Sequence, residues 1–97
     1  MLDLEKPYEF DWDQGNTVKN LIKHGIKCKE AEEAFLDNNN LVNDDISHSL
    51  SETRYHLIGK TLSRLTLYIT FTQRKNKIRI ISARTADKKE RSLYEEN

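Results

Sequence analysis

Residues 65–72 alternate without a break. Leu65, Leu67, Ile69 and Phe71 fall on one side of an extended chain, and Thr66, Tyr68, Thr70 and Thr72 fall on the other. Successive side chains of a strand point to opposite faces, so this pattern specifies a strand with one buried face and one polar face. The turn-forming Gln73-Arg74-Lys75-Asn76 follows. Residues 77–84 then return, with Ile78 and Ile80 on the apolar side and Lys77 and Arg79 on the polar side. An isolated hairpin is marginal in water, so the rest of the chain must widen this sheet and cover its apolar face.

The upstream sequence supplies both. Residues 54–60 alternate in the same way, with Tyr55 and Leu57 on one face and Arg54, His56 and Lys60 on the other. Leu41-Val42 reads as a short strand running into a polar loop at residues 43–53. Asp13 is placed to cap a helix reaching about His24, with Val18, Leu21 and Ile22 inward and Gly25 as its left-handed stop. A second helix over roughly 28–37 carries Cys28, Ala31, Ala34 and Phe35 at helical spacing, and Glu30, Glu32 and Glu33 suit its N-terminal half. Tyr8-Glu9-Phe10-Asp11-Trp12 alternates aromatic and acidic residues, which predicts a short first strand. Asp87-x-x-Glu90 has the spacing of a capping box and starts a last helix through Tyr94. The expected fold is therefore α+β: β-α-α, then an antiparallel meander, then a C-terminal helix, with helices covering one sheet face. The other face would present Arg54, His56, Tyr68, the threonines, Lys77 and Arg79.

The 97 residues suffice for one domain, spanning 1–97. Charge is divided along the chain. Residues 1–53 hold 12 Asp/Glu against 5 Lys/Arg, whereas residues 54–91 hold 11 Lys/Arg against Asp87 and Glu90. A neutral total hides a basic half, and phosphate responds to the local field and not to the sum. No apolar run is long enough to span a membrane, and the acidic start lacks the features of a signal peptide. Cys28 is the only cysteine, which excludes an internal disulfide and a cysteine-built zinc site. These features point to the cytoplasm, with no membrane partner.

Several short motifs then line up in order: Trp12-Asp13; Asn20 with Lys23-His24-Gly25; Asp45-x-x-His48-Ser49-x-x-Glu52-x-Arg54; Ile58-Gly59; Thr72-x-Arg74; Ile78-Arg79-Ile80-Ile81-Ser82-Ala83-Arg84; and Glu90-Arg91-x-x-Tyr94. Across residues 8–95 this set resembles the BrnT family, toxins of type II toxin–antitoxin systems. The resemblance implies a RelE-like fold, cleavage of RNA that inhibits translation and growth, and neutralisation by a BrnA-like antitoxin. It also implies contact with operator DNA only through that antitoxin. Three positions depart from the family pattern. Asn16 stands in place of a usual Lys, Lys27 in place of a helix-capping Ser, and Gln73 in place of an acid. The alternative reading is a non-catalytic RNA- or protein-binding module on the same fold.

Metal-independent ribonuclease chemistry uses the RNA's own 2′-OH as nucleophile. The protein must take its proton and stabilise charge on the phosphate. Arg79, mid-strand on the open face, is the first candidate for the phosphate. Arg54 shares that face, and Arg84 ends the same strand, where strict alternation puts it on the core side with Ile80 and Ser82. His48, beside Asp45 and Ser49, is a candidate general base or acid, with Glu52 as the alternative. Tyr68, Lys60, Arg74 and Lys77 are candidate RNA contacts. No histidine or carboxylate pair has convincing metal-ligand spacing, so no metal and no cofactor are expected.

Overall fold

A computed structural model describes residues 8–18, 24–45 and 52–96. The elements are α1 (Gln14–Val18), α2 (Cys28–Leu36), β1 (Leu41–Asp45), β2 (Arg54–Lys60), β3 (Thr66–Arg74), β4 (Lys77–Thr85) and α3 (Lys88–Glu96). The strands form one antiparallel sheet in the order β1-β2-β3-β4. The hairpin joining β3 to β4 turns through Lys75 and Asn76, at φ 48° and 69°. Two positive φ values in a two-residue connection give a turn whose twist matches that of the flanking strands.

The element order is α-α-β-β-β-β-α, which corrects the expected β-α-α-meander-α. The segment expected as a first strand makes only an isolated parallel bridge between Phe10 and Ile78. Asp11 N–H donates to the Ile78 carbonyl, and Ile78 N–H donates to the Glu9 carbonyl, both at 2.8 Å. The aromatic alternation had a packing cause: Tyr8, Phe10 and Trp12 all pack against the core. The ladder stops after one bridge because Asp13 turns the chain into α1, accepting from Asn16 N–H at 3.3 Å while Asn16 Oδ1 accepts from Asp13 N–H at 2.8 Å. A second correction concerns β1. It runs on through Asn43, Asp44 and Asp45, which pair with His56, Tyr55 and Arg54, where a loop was expected. The expected continuation of the first helix through Leu21 and Ile22 lies outside the described residues, and Gly25 adopts φ 67°.

The core lies between α2 and the sheet. Ala31, Ala34 and Phe35 meet Leu57, Leu67, Ile69, Phe71, Ile78 and Ile80. Phe35 is the hub, edge-on to Phe71 at 5.0 Å and to Phe10 at 5.4 Å. Gly59 sets how closely α2 approaches: a Cβ there would stand 2.5 Å from the Ala34 carbonyl oxygen. Lys27 gives α2 no side-chain cap, although Glu30 accepts from its N–H at 3.0 Å. Cys28 is half-buried and not a full member of the core. The last helix starts as its motif predicts, with Asp87 and Glu90 exchanging bonds at 2.9 and 2.8 Å. Its far end is fastened where Tyr94 Oη donates to Asp37.

Candidate functional site

The open face of the sheet starts from the polar side of β2, β3 and β4. In register, Arg54 faces Thr72, and Thr72 faces Arg79. These residues share one side of three neighbouring strands. Thr72 is buried there and donates to the Thr53 carbonyl at 2.7 Å, which fixes the start of β2. Arg54, Arg74, Arg79 and Glu52 together with Gly15 and Asn16 line a shallow concavity of about 250 Å³. Lys77 stands next to this group, sharing a second concavity with Arg74, Lys75 and Asp11.

Two of these arginines, Arg79 and Arg74, hold carboxylates in their forks. Arg79 reaches Asp13 at 2.9 and 3.2 Å and Asp11 at 3.7 Å. Arg74 takes both oxygens of Glu52 at 3.0 Å. Paired forks of this kind match phosphate as well as carboxylate geometry. The bond from Arg79 holds the Asp13 carboxyl below the ordinary aspartate value, and the bond from Arg74 does the same for Glu52. Both acids are therefore ionised at neutral pH.

A β-bulge changes the place of Arg84. Phe71 pairs with Ile80 but Thr70 pairs with Ser82, so Ile81 is an extra residue on β4. An extra residue shifts the alternation by one. Ala83 consequently enters the core, and Arg84 turns to the open face opposite Tyr68, which corrects the expected core-side placement. Its guanidinium lies 4.4 Å from the Tyr68 ring centroid and forks onto Glu90 at 2.8 and 2.9 Å. On the β2 side of Tyr68 the His56 ring stacks at 4.8 Å. His56 Nε2 meets Asp45 at 3.0 Å and Nδ1 meets Thr70 Oγ1 at 3.0 Å.

The expected site residues thus separate. Arg79, Arg54, Arg74 and Glu52 come together, with Lys77 at the margin. Arg84 and Tyr68 form a second cluster toward the other end of the face. Lys60 stands apart from both, its Nζ 5.5 Å from the Tyr94 ring centroid. His48 lies outside the described residues. Asn16 is a structural tie at 4 % exposure, donating to the carbonyls of Asp11 at 3.1 Å and Ile80 at 2.9 Å. Two participants escaped the sequence reading. Asp13 had been assigned only a capping role, although the Trp12-Asp13 motif was a signal, and Asp45–His56 join across strands that the sequence did not pair. Among the described residues, no group of three or more His, Cys, Asp or Glu side chains is arranged as metal ligands.

An antiparallel sheet with α2 packed on one face and arginines on the other makes this an α+β protein. The chain belongs to the BrnT family, ribonuclease toxins of type II toxin–antitoxin systems, whose family model matches residues 12–90. That membership implies an RNA substrate and an antitoxin partner. No curated protein matches the sequence. No helix among the described residues is long and apolar enough to cross a membrane.

Proposed function

We propose that the chain cleaves RNA without a metal, at the arginine cluster around Arg79. The observation that carries this reading is the pair of guanidinium forks near the hairpin, Arg79 on Asp13 and Arg74 on Glu52, each occupied by an exposed or half-exposed carboxylate that a phosphodiester can replace. Arg79 stabilises charge on the attacked phosphate, and Arg54 and Arg74 hold the phosphate in place. Glu52 accepts the proton of the 2′-OH. Its coupling to Arg74 serves this role: when Arg74 turns to the phosphate, Glu52 loses the bond that lowers its pKa and becomes a stronger base. The 2′-oxygen attacks phosphorus, the bond to the 5′-oxygen breaks, and that oxygen takes a proton from water. A 2′,3′-cyclic phosphate and a free 5′-OH result.

A BrnA-like antitoxin neutralises the toxin by covering this same basic face, and operator DNA is contacted through the antitoxin. The test is expression of the chain alone beside Arg79→Ala, with growth and RNA integrity followed together. Arrest with RNA decay, absent in the variant, is the expected result. Salt-sensitive RNA binding by a folded protein that leaves RNA intact would replace cleavage with a binding module.

A further inference from the structure

We propose that the concavity between the open face and α3 is a base-recognition subsite, in which Asn43 and Asp87 read a nucleobase flanking the cleaved phosphate. The inference rests on the reading of the Arg79 cluster as the cleavage centre and adds to it a determinant of sequence preference.

The concavity measures about 270 Å³, at the small end of ligand sites that run from roughly 300 to 1,000 Å³. It suits a single ring system and not a whole nucleotide. Its walls suit a base. The stacked His56 and Tyr68 rings form one side, and Ile58 and the half-exposed Leu93 supply apolar surface. The aromatic wall is fixed from several directions, by Asp45 and Thr70 on His56 and by Arg84 on Tyr68. A fixed wall costs little ordering entropy when a ligand seats against it.

The polar groups favour a base over a phosphate. Asp87, Glu90 and Lys89 line the concavity and Arg84 is taken up by Glu90, so two acids balance two cations and a phosphate meets no excess of positive charge. Glu90 is committed to Arg84 and to Asp87 N–H, and Asp87 Oδ1 accepts from Glu90 N–H. Asp87 keeps acceptor capacity on its second oxygen, and Asn43, opposite His56 in register, offers an amide that can donate and accept. The fit is to a base edge that presents an N–H donor to Asp87 beside a group that the Asn43 amide can pair.

The distance also suits one substrate. Thr72, opposite Arg79, and Tyr68, opposite Arg84, are four residues apart on β3, roughly 13 Å at the rise of a strand. An extended strand of RNA held at the Arg79 cluster covers that span with the next nucleotide or two. Thr70 lies between them on the same face.

The experiment maps cut sites in a pool of RNAs of randomised sequence, using wild type, Asn43→Ala, Asp87→Asn and Arg79→Ala. Asparagine caps helices as well as aspartate does, so Asp87→Asn keeps α3 in place while exchanging a carboxylate for an amide. Wild type is expected to show a base preference at one position beside the cut. Asp87→Asn and Asn43→Ala are expected to reduce that bias several-fold, with cutting of the best substrate within a few-fold of wild type. Unchanged bias in both variants, or loss of cutting spread equally over all sequences, overturns the subsite. Arg79→Ala reports separately on the cleavage centre: if it cuts as wild type does, the underlying reading fails and the subsite falls with it.

Discussion

Both ends of the open face carry pairs of positive and negative side chains, yet the two ends shelter their acids differently. At the hairpin end, the Asp13 carboxylate that meets Arg79 is 55 % exposed, although the arginine side chain itself is only 17 % exposed. At the α3 end, Glu90 is 14 % exposed against Arg84, and Asp45 is 8 % exposed against His56. A pair whose acid stands in water contributes little to stability, and its partner exchanges easily. A sheltered pair resists removal of one member, because the other is left buried without compensation. The same chemistry thus makes a displaceable anion site at one end and a fixed scaffold at the other. A positioned cation with a replaceable anion is what an incoming phosphate requires.

The strongest way to break this contrast is Arg79→Ala. Loss of a positioned charge-stabilising donor costs on the order of 100-fold or more in rate, and cleavage of a defined RNA should fall by that much while the unfolding midpoint stays near wild type. Glu90→Ala should do the reverse. It removes both oxygens from Arg84 and the acceptor for Asp87 N–H, and a loss of about 2 kcal/mol is expected from hydrogen bonds of this charged, sheltered kind. Chemical denaturation measures it. If Arg79→Ala unfolds as readily as Glu90→Ala, the two ends are alike and the contrast is wrong.

Much of this arrangement was legible in the sequence where a local rule governed it. The alternation through Leu67, Ile69 and Phe71 placed β3, and the same rule set Arg79 on the open face beside Arg54. The D-x-x-E spacing of Asp87 and Glu90 located the start of α3. What the sequence hid depends on events between segments. The bulge at Ile81 has no composition of its own, and it alone reverses the side on which Arg84 stands. The residues Asn43, Asp44 and Asp45 look like loop residues, since strands are poor in Asn and Asp. They become a strand because β2 offers an unpaired edge to them. The aromatic alternation at Tyr8, Phe10 and Trp12 was a true signal of packing and a false signal of a strand. The arginine cluster was legible as separate residues, but its pairing with Asp13 was not, because 66 positions separate Asp13 from Arg79.

A milder change sharpens the account of the hairpin end. Asp13→Asn keeps a side-chain oxygen for Asn16 N–H, so α1 retains its cap. It removes the charge that competes with phosphate for Arg79. Affinity for an oligonucleotide of 2′-deoxy sugars, which lacks the attacking hydroxyl, should rise several-fold at fixed salt. The salt dependence should steepen, since one more cation becomes available to phosphate. Weaker binding by the variant would mean that Asp13 positions Arg79 for the ligand and does not compete with it.

The smallest effect is also the one that separates competition from simple charge. Asp13 and Glu52 have folded pKa values below their ordinary 3.8 and 4.5, through the hydrogen bonds from Arg79 and Arg74. A carboxylate lowered in this way contributes stability above its unfolded pKa, and that contribution is lost as pH falls through the lower folded value. Protonation frees the guanidinium forks while phosphodiesters remain ionised. Binding of the 2′-deoxy oligonucleotide by wild type should therefore tighten as pH falls below 4.5, by about twofold within the range where the protein stays folded. Arg79 also faces Asp11, and Glu52 lies in the fields of Arg54 and Arg79. Asp13→Asn should show a smaller acid-dependent gain than wild type, since its share has already been removed. Equal gains in the two proteins would show that Asp13 does not occupy the phosphate's place, and the distinction between a displaceable end and a fixed end would then rest on Glu52 alone.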